Sequence, residues 1–354
     1  MEKNNKTIIL TGGGTMGSVT PLLVLGKELQ KLGYLIVFIG TKGGVEKESV
    51  EKAGFYFLEI TSAKFHRYIT PKLLIQPFKL LKAYFEAKKI IKKFKPKLVL
   101  GSGGFVQVPV MRAAKSELIP YGVHQQDLRP SLANTLVAKK ASFITTTFEK
   151  SKQDYQNENI VWTGNPVSKE VIAAQENYAK FGFKHDKPVL FVTGGGTGAV
   201  AINKLVFESI RELTKTFQVI HQTGAGKNLF DFKDPNYFQT EFLDHPSMFE
   251  AFKIASIVVS RAGLSTLSEL SRMQKVAVFI PMPNTHQEEN TEFLKSKQAA
   301  VILDQNILTP EIFSKEIIDL YKNKEQQKKL TTNFGNLSKI DATNNIIKVM
   351  KKWL

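Results

Sequence analysis

A chain of 354 residues with 42% hydrophobic content has material for two ordinary globular domains. It contains no cysteine, which excludes a disulfide framework, a thiolate nucleophile and a cysteine-ligated metal. Lys and Arg number 49 against 32 Asp and Glu, and the net charge of +17 favours an anionic partner: nucleic acid, a phospholipid surface or a phosphorylated substrate. Met1–Lys6 is polar and charged, and the apolar run behind it is too short for a signal-peptide core. No apolar run approaches the roughly 18 residues of a membrane span, so the chain is expected in the cytoplasm without a transmembrane helix.

In chain order, short β-branched or apolar runs predict strands at Thr7–Leu10, Leu35–Ile39, Phe55–Leu58, Leu98–Leu100, Tyr121–Val123 and Phe143–Thr145. Helical apolar spacing predicts helices between them, at Pro21–Leu32 and Leu73–Lys93 among others. The second half repeats the alternation. Its strands are predicted at Val189–Val192, Gln218–His221, Ile257–Val259, Val276–Ile280 and Ala300–Ile302. Its helices are predicted at Ala199–Thr214, Ser265–Met273 and Gln287–Lys297. Such alternation implies parallel sheets covered on both faces. A break at Gly164-Asn165-Pro166 sets the expected domains at 1–164 and 165–340. The amphipathic tail at 341–354 is expected to pack back on the first domain.

One helical segment carries an unusual surface. Phe65, Tyr68, Leu74, Ile75, Phe78, Leu81 and Phe85 supply apolar bulk. Lys79, Lys82, Lys88, Lys89, Lys92, Lys93, Lys95 and Lys97 follow with Glu86 as the only acid among them. It reads as an amphipathic helix lying on an anionic membrane, or as a core helix with a solvated lysine face.

The pentapeptide Thr-Gly-Gly-Gly-Thr occurs twice, at 11–15 and 193–197, each time between a strand-like run and a helical one. Glycine lets backbone N–H groups approach an anion, and the following helix N-terminus is partly positive. Two copies imply two nucleotide-binding-type domains facing a cleft. A third strand–glycine–helix turn is Gly101-Ser102-Gly103-Gly104-Phe105, and the polar run His124-Gln125-Gln126-Asp127 ends the next strand. Open α/β sheets bind ligands at this carboxyl edge. In the second half Arg261–Glu269 follows a strand with a glycine and two hydroxyls at a helix start, and 281–290 is a polar loop entering a helix. Glu269 is placed to accept both hydroxyls of a ribose; the alternative is a capping-box glutamate three residues after Thr266. Walker, zinc-type and Gly-x-Ser-x-Gly patterns are missing, and the first glycine loop lacks the third glycine of a dinucleotide site.

In this order the motifs resemble the MurG family of GT-B glycosyltransferases, over Ile8 to beyond Leu308. The matching segments are Gly13–Pro21, Gly101–Phe105, His124–Asp127, Gly164–Val167, Gly194–Ala199 with Asn203, His221–Gly224, Arg261–Glu269, and His286-Gln287 with Asn290. The resemblance implies two Rossmann-like doubly wound parallel-sheet domains and inverting transfer of GlcNAc from UDP-GlcNAc to the C4 hydroxyl of MurNAc on undecaprenyl-linked lipid I. With it come a place in peptidoglycan synthesis, cell shape and division, a peripheral position on the cytoplasmic membrane face, other cell-wall synthesis proteins as partners, and no required cofactor or metal. Donor contacts are implied at Thr15, Gly17, Gly196, Leu243 (uracil), Leu264, Ser265 and Thr266 (phosphates), Glu269 (ribose) and Gln287 (sugar). Acceptor contacts are implied at Met16, Ser18, Gly103, Gly104 and Asp127.

Four departures stand out. Met16 and Ser18 replace a glycine and a histidine of the family's first loop. His124-Gln125-Gln126-Asp127 replaces His-Glu-Gln-Asn. Ser168 replaces an arginine, and Gly196-Thr197 replaces Ser-Gln. With an imidazole missing at Ser18 and a carboxylate gained at Asp127, Asp127 is the favoured general base and His124 the second choice. The rival expectations are a diacylglycerol glycosyltransferase of the same fold, a catalytically silent sugar-nucleotide-binding scaffold, and a nucleic-acid-binding protein. The last is disfavoured because no nucleic-acid motif accompanies the charge.

Overall fold

The computed structural model describes residues 6–62, 76–228, 232–339 and 341–354. The chain forms two compact units, residues 1–167 with 339–354, and residues 168–338. The first unit runs β1 (Thr7–Thr11), α1 (Thr20–Lys31), β2 (Leu35–Thr41), α2 (Lys47–Lys52), β3 (Tyr56–Ile60), α3 (Gln76–Phe94), β4 (Leu98–Gly101), α4 (Gln107–Ser116), β5 (Tyr121–Gln125), α5 (Leu132–Ala138), β6 (Phe143–Thr146) and β7 (Ile160–Trp162). The second runs α6 (Lys169–Ala173), β8 (Val189–Thr193), α7 (Val200–Thr216), β9 (Gln218–Gln222), β10 (Tyr237–Thr240), α8 (His245–Ile254), β11 (Ala255–Ser260), α9 (Leu264–Arg272), β12 (Ala277–Phe279), α10 (His286–Ser296), β13 (Val301–Ile302), α11 (Pro310–Lys322) and α12 (Lys324–Asn336). Helix α13 (Ala342–Met350) belongs to the first unit.

Both sheets are parallel. Their strand orders are β3-β2-β1-β4-β5-β6-β7 and β10-β9-β8-β11-β12-β13. Counted within each unit, both begin 3-2-1-4-5-6, so each reverses winding between its first and fourth strands. Strand ends match at these reversals: Thr11 lies opposite Gly101, and Thr193 opposite Ser260.

Period-two alternation divides the first core. Ile8, Leu10, Ile36 and Phe38 face α1 and α13, while Ile9, Val37, Ile39 and Val99 face α3, α4 and α5. Alone, the nine residues of α13 would be marginal as a helix. Ile346, Ile347 and Met350 are buried among Leu22, Leu25 and Leu29, each contributing about 1.5–3 kcal/mol. In the second unit Leu190, Val192, Val219, Ile257, Val259 and Val278 form the matching layer with α7 and α11.

The strands missing from the sequence reading, β7 and β10, are both edge strands. Neither has a fully buried residue, so neither carries the apolar run that betrays a central strand. On α3, Ala83, Ala87 and Ile91 face the core, whereas Phe78, Leu81 and Phe85 are 74%, 55% and 59% exposed. The helix thus has a core face and a second, unburied apolar row. Phe65, Tyr68, Leu74 and Ile75 lie outside the described residues. Lys88 and Lys92 turn to Glu117, at 3.1 and 3.7 Å. No helix among the described residues is long and apolar enough to cross a membrane.

Candidate active site

The glycine turns fall at the two points where winding reverses, which is where a doubly wound sheet leaves a crevice. In the first unit the turns after β1 and β4 lie against each other. Gly104 has φ +78°, and a Cβ on it would overlap the carbonyl of Gly13. Ser102 Oγ donates to the carbonyl of Ser18, closing the contact further. Thr15 is exposed; Met16, Gly17 and Ser18 form a half-buried 3₁₀ turn. The Ser18 hydroxyl is directed into its own loop, 3.1 Å from the carbonyls of Gly13 and of Thr15. Gly103 is buried and Gly104 half-buried.

The next strand brings His124 and Asp127 to the same edge. Asp127 is half-buried in the turn after β5. His124 is 1% exposed, with Nδ1 2.9 Å from Thr145 Oγ1 and Nε2 3.0 Å from Asn165 Oδ1. Burial pulls its pKa down to about 4. A neutral ring with both nitrogens engaged ties β5 to β6 and to the Gly164–Pro166 segment, and neither nitrogen is presented to a substrate hydroxyl. Ser168, at the position of the family's arginine, caps α6 by accepting from Glu170 N–H at 3.2 Å.

In the second unit the turn after β8 leans the other way. Gly198 packs on Gly224 so closely that a Cβ on either would overlap the other's backbone. Lys227 Nζ donates to the carbonyls of Thr197 and Gly198, at 2.7 and 3.1 Å. Asn203 Nδ2 holds Thr223 O at 2.9 Å and Lys227 O at 3.0 Å, and its Oδ1 lies 3.1 Å from His221 Nε2. The space above Gly196 and Gly263 is left open: a Cβ on either would meet nothing within 4 Å.

Helix α9 starts just after β11, with Gly263 as its N-cap. Leu264, Ser265 and Thr266 occupy its first turn, where backbone N–H groups lack helical partners. Buried polar atoms without a partner gather in the same turn: Ser260 Oγ, Arg261 Nε and Ser265 Oγ. The guanidinium of Arg261 is anchored on Ile280 O and Pro281 O at 2.8 and 2.9 Å, and burial lowers its pKa. Because α9 begins at Leu264, Thr266 lies inside the helix and Glu269 is not a capping-box partner. Glu269 is 6% exposed, and burial pushes its pKa up to about 8. Its carboxyl has no hydrogen-bond or ion-pair partner among the described residues. Leu243, after β10, is 7% exposed. Gln287, in the first turn of α10, accepts the N–H of Met282 at 3.0 Å through Oε1, leaving Nε2 to donate.

Two Rossmann-type units, one with a helix N-terminus and an unpaired buried carboxyl at its crevice, define a nucleotide-sugar-binding protein of the two-domain transferase type. The glycosyltransferase family 28 N-terminal domain matches residues 8–146, and the C-terminal domain of that family matches residues 189–347. The chain belongs to glycosyltransferase family 28. It is 36% identical, over 98% of both chains, to the UDP-N-acetylglucosamine–N-acetylmuramyl-(pentapeptide) pyrophosphoryl-undecaprenol N-acetylglucosamine transferase of Clostridium tetani. It is 35% identical to the enzyme of the same name from Lachnospira eligens, over 98% of both chains. Among solved structures, MurG of Acinetobacter baumannii superposes with a TM-score of 0.77 at 24% identity, covering 98% of this chain and 99% of that one. The glycosyltransferase of kitacinnamycin reaches the same TM-score at 13% identity, over 99% of each chain. These likenesses place the fold in the GT-B class.

Proposed function

We propose that this chain transfers GlcNAc from UDP-GlcNAc to the C4 hydroxyl of MurNAc on undecaprenyl-pyrophosphoryl-MurNAc-pentapeptide, making lipid II with inversion at the sugar. The observation that carries this reading is the β11–α9 turn, with its unpartnered buried polar atoms and the unpaired buried Glu269, in a chain that matches relatives of that name over nearly its whole length. On this reading the second unit holds the nucleotide. The ribose hydroxyls donate to Glu269, the N–H groups of Leu264–Thr266 receive the phosphates, and Gln287 Nε2 donates to the sugar. Gly196 borders the open side and Leu243 lies against the base. Thr15, Met16, Gly17, Ser18, Gly103 and Gly104 form the first unit's edge toward the reacting sugars.

In the transfer the acceptor's C4 oxygen bonds to C1 of GlcNAc as the bond from C1 to the β-phosphate oxygen breaks. UDP leaves with that electron pair, and fixed N–H dipoles at the α9 N-terminus stabilise its charge. The hydroxyl proton passes to Asp127, since His124 is neutral and engaged at both nitrogens. The exposed row Phe78, Leu81 and Phe85, flanked by Lys79, Lys82 and Lys89, seats the first unit on the anionic face of the membrane that carries the acceptor.

The test is turnover of UDP-GlcNAc with a soluble lipid I analogue. The expected result is equal amounts of UDP and disaccharide product. Transfer to diacylglycerol instead, or UDP binding with no turnover of either acceptor, would overturn the proposal.

A further inference from the structure

The first unit contains a chain of buried side-chain amides that runs in one sense from one acceptor-side turn to the other. Gly103 N–H donates to Gln107 Oε1 at 3.0 Å. Gln107 Nε2 donates to Asn134 Oδ1 at 2.5 Å, and Asn134 Nδ2 to Gln125 Oε1 at 2.6 Å. Gln125 Nε2 then donates to the carbonyls of Asp127 and Arg129, at 2.8 and 2.7 Å. Tyr155 OH adds a second bond to Gln125 Oε1 at 2.6 Å. Gln107, Asn134 and Gln125 are 0%, 2% and 1% exposed.

A row of amides can run in two senses, because each has a donor end and an acceptor end. Here the ends decide. A backbone N–H at Gly103 only donates, and backbone carbonyls at Asp127 and Arg129 only accept. Turning any one amide over would set donor against donor and acceptor against acceptor, at a depth where water cannot compensate. The β4 and β5 turns therefore share one hydrogen-bonded support, built from α4, α5 and β5.

We propose that Gln107, Asn134 and Gln125 are positioning residues that fix the Gly103–Gly104 turn and the Asp127 turn as one unit. The role assigned to Asp127 rests on the proposed function; the coupling between the turns does not. The arrangement also bears on the glutamine at 125, where the family has a glutamate. A glutamate at 125 would still accept from Asn134 and Tyr155, but would present no donor to the carbonyls of Asp127 and Arg129. Gln125 thus holds the backbone of the Asp127 turn as a glutamate could not.

The test compares Gln125→Met, Asn134→Leu and Gln125→Glu, all in the full chain. The first readout is amide hydrogen exchange at Gly103. Gln125→Met, three hydrogen bonds away, is expected to speed it roughly five-fold, the worth of one hydrogen bond. The second is steady-state kinetics. Gln125→Met and Asn134→Leu are expected to lower kcat by about 10- to 100-fold, the scale of a sub-ångström misplacement, with KM for UDP-GlcNAc held within about two-fold. Gln125→Glu keeps the bonds it accepts but loses both bonds it donates, and should lower kcat on the same scale as Gln125→Met. Unchanged exchange at Gly103 in both Gln125→Met and Asn134→Leu would overturn the coupling. Changed exchange with wild-type kcat would overturn the positioning role. A wild-type chain that turns over no acceptor would sink the proposed function, and the exchange result would still decide the coupling.

Discussion

In the first unit the turn after β1 rests on the turn after β4, with Gly104 against Gly13. In the second the turn after β8 rests on the turn after β9, with Gly198 against Gly224. The pentapeptide at the head of each turn is the same, and so is the strand order around it. What differs is the neighbour that fills the space a Cβ would take. The first unit's β1 turn meets the β4 turn, and the second unit's β8 turn meets the β9 turn. The second unit also holds an unpartnered buried Ser265 Oγ and a buried Glu269 on α9. A repeated glycine motif therefore marks a close approach, and the tertiary partner decides whether that approach is made by backbone or by ligand.

The sharpest way to break this division of labour is Asp127→Asn. If the first unit handles the acceptor proton, kcat on a lipid I analogue should fall by about 100- to 10,000-fold while calorimetry shows unchanged UDP affinity. A fall of less than about ten-fold, below the usual worth of a general base, would make Asp127 a binding residue.

Next in size is a paired glycine experiment. Gly104→Ala forces a left-handed φ and an overlap with Gly13, and should destabilise the fold by about 2–4 kcal/mol. Gly196→Ala has open space and no positive φ, and should stay within about 0.5 kcal/mol of wild type. Urea unfolding of both variants checks the contrast, and similar losses would erase it.

Glu269 gives a smaller effect with a characteristic pH signature. Glu269→Ala should weaken UDP binding by about 1–3 kcal/mol. Its folded pKa of about 8 lies above the ordinary 4.5, so between these values the folded chain keeps a proton that the unfolded chain has released. The contribution of Glu269 to stability is therefore full below 4.5 and is lost as pH rises toward 8. Thermal melts of Glu269→Gln should lack that decline. Ribose hydroxyls that donate to the carboxylate favour its ionised form, so UDP should bind more tightly as pH rises through the same window. Calorimetry showing no pH dependence of UDP affinity would remove Glu269 from the ribose.

The smallest effect per substitution concerns the membrane. Replacing Lys79, Lys82 and Lys89 by Gln should weaken sedimentation with anionic vesicles roughly five-fold per lysine. Lys88→Gln with Lys92→Gln should do less, because both pair with Glu117, at 3.1 and 3.7 Å, whereas in the first set only Lys82 has an acidic partner among the described residues, Glu86 at 4.0 Å. Equal losses from both sets would mean that the helix presents no oriented face.

Much of this was legible before any coordinates. Strand-length apolar runs alternating with helical spacing define a parallel α/β chain, because a strand buried on both faces has to be apolar along its length. The glycine turns mark where backbones come close, and Glu269 sits far enough into a helical pattern to stand out. The edge strands β7 and β10 were not legible, since a half-exposed strand lacks the apolar run. Nor were Gln107, Asn134 and Gln125. Amides have no periodic signature, and their meaning comes from partners 9 and 27 residues apart in sequence. His124 read as a possible base because histidine at a sheet edge often is one; only Thr145 and Asn165, delivered by other segments, turn it into a buried neutral tie. The sequence by itself determined the class of fold, the two-unit plan and the places where backbones meet, because these follow from local hydrophobic pattern and glycine. Tertiary structure alone decided which turns meet and which polar side chains are already engaged, because burial and hydrogen-bond pairing depend on atoms that no local pattern brings together.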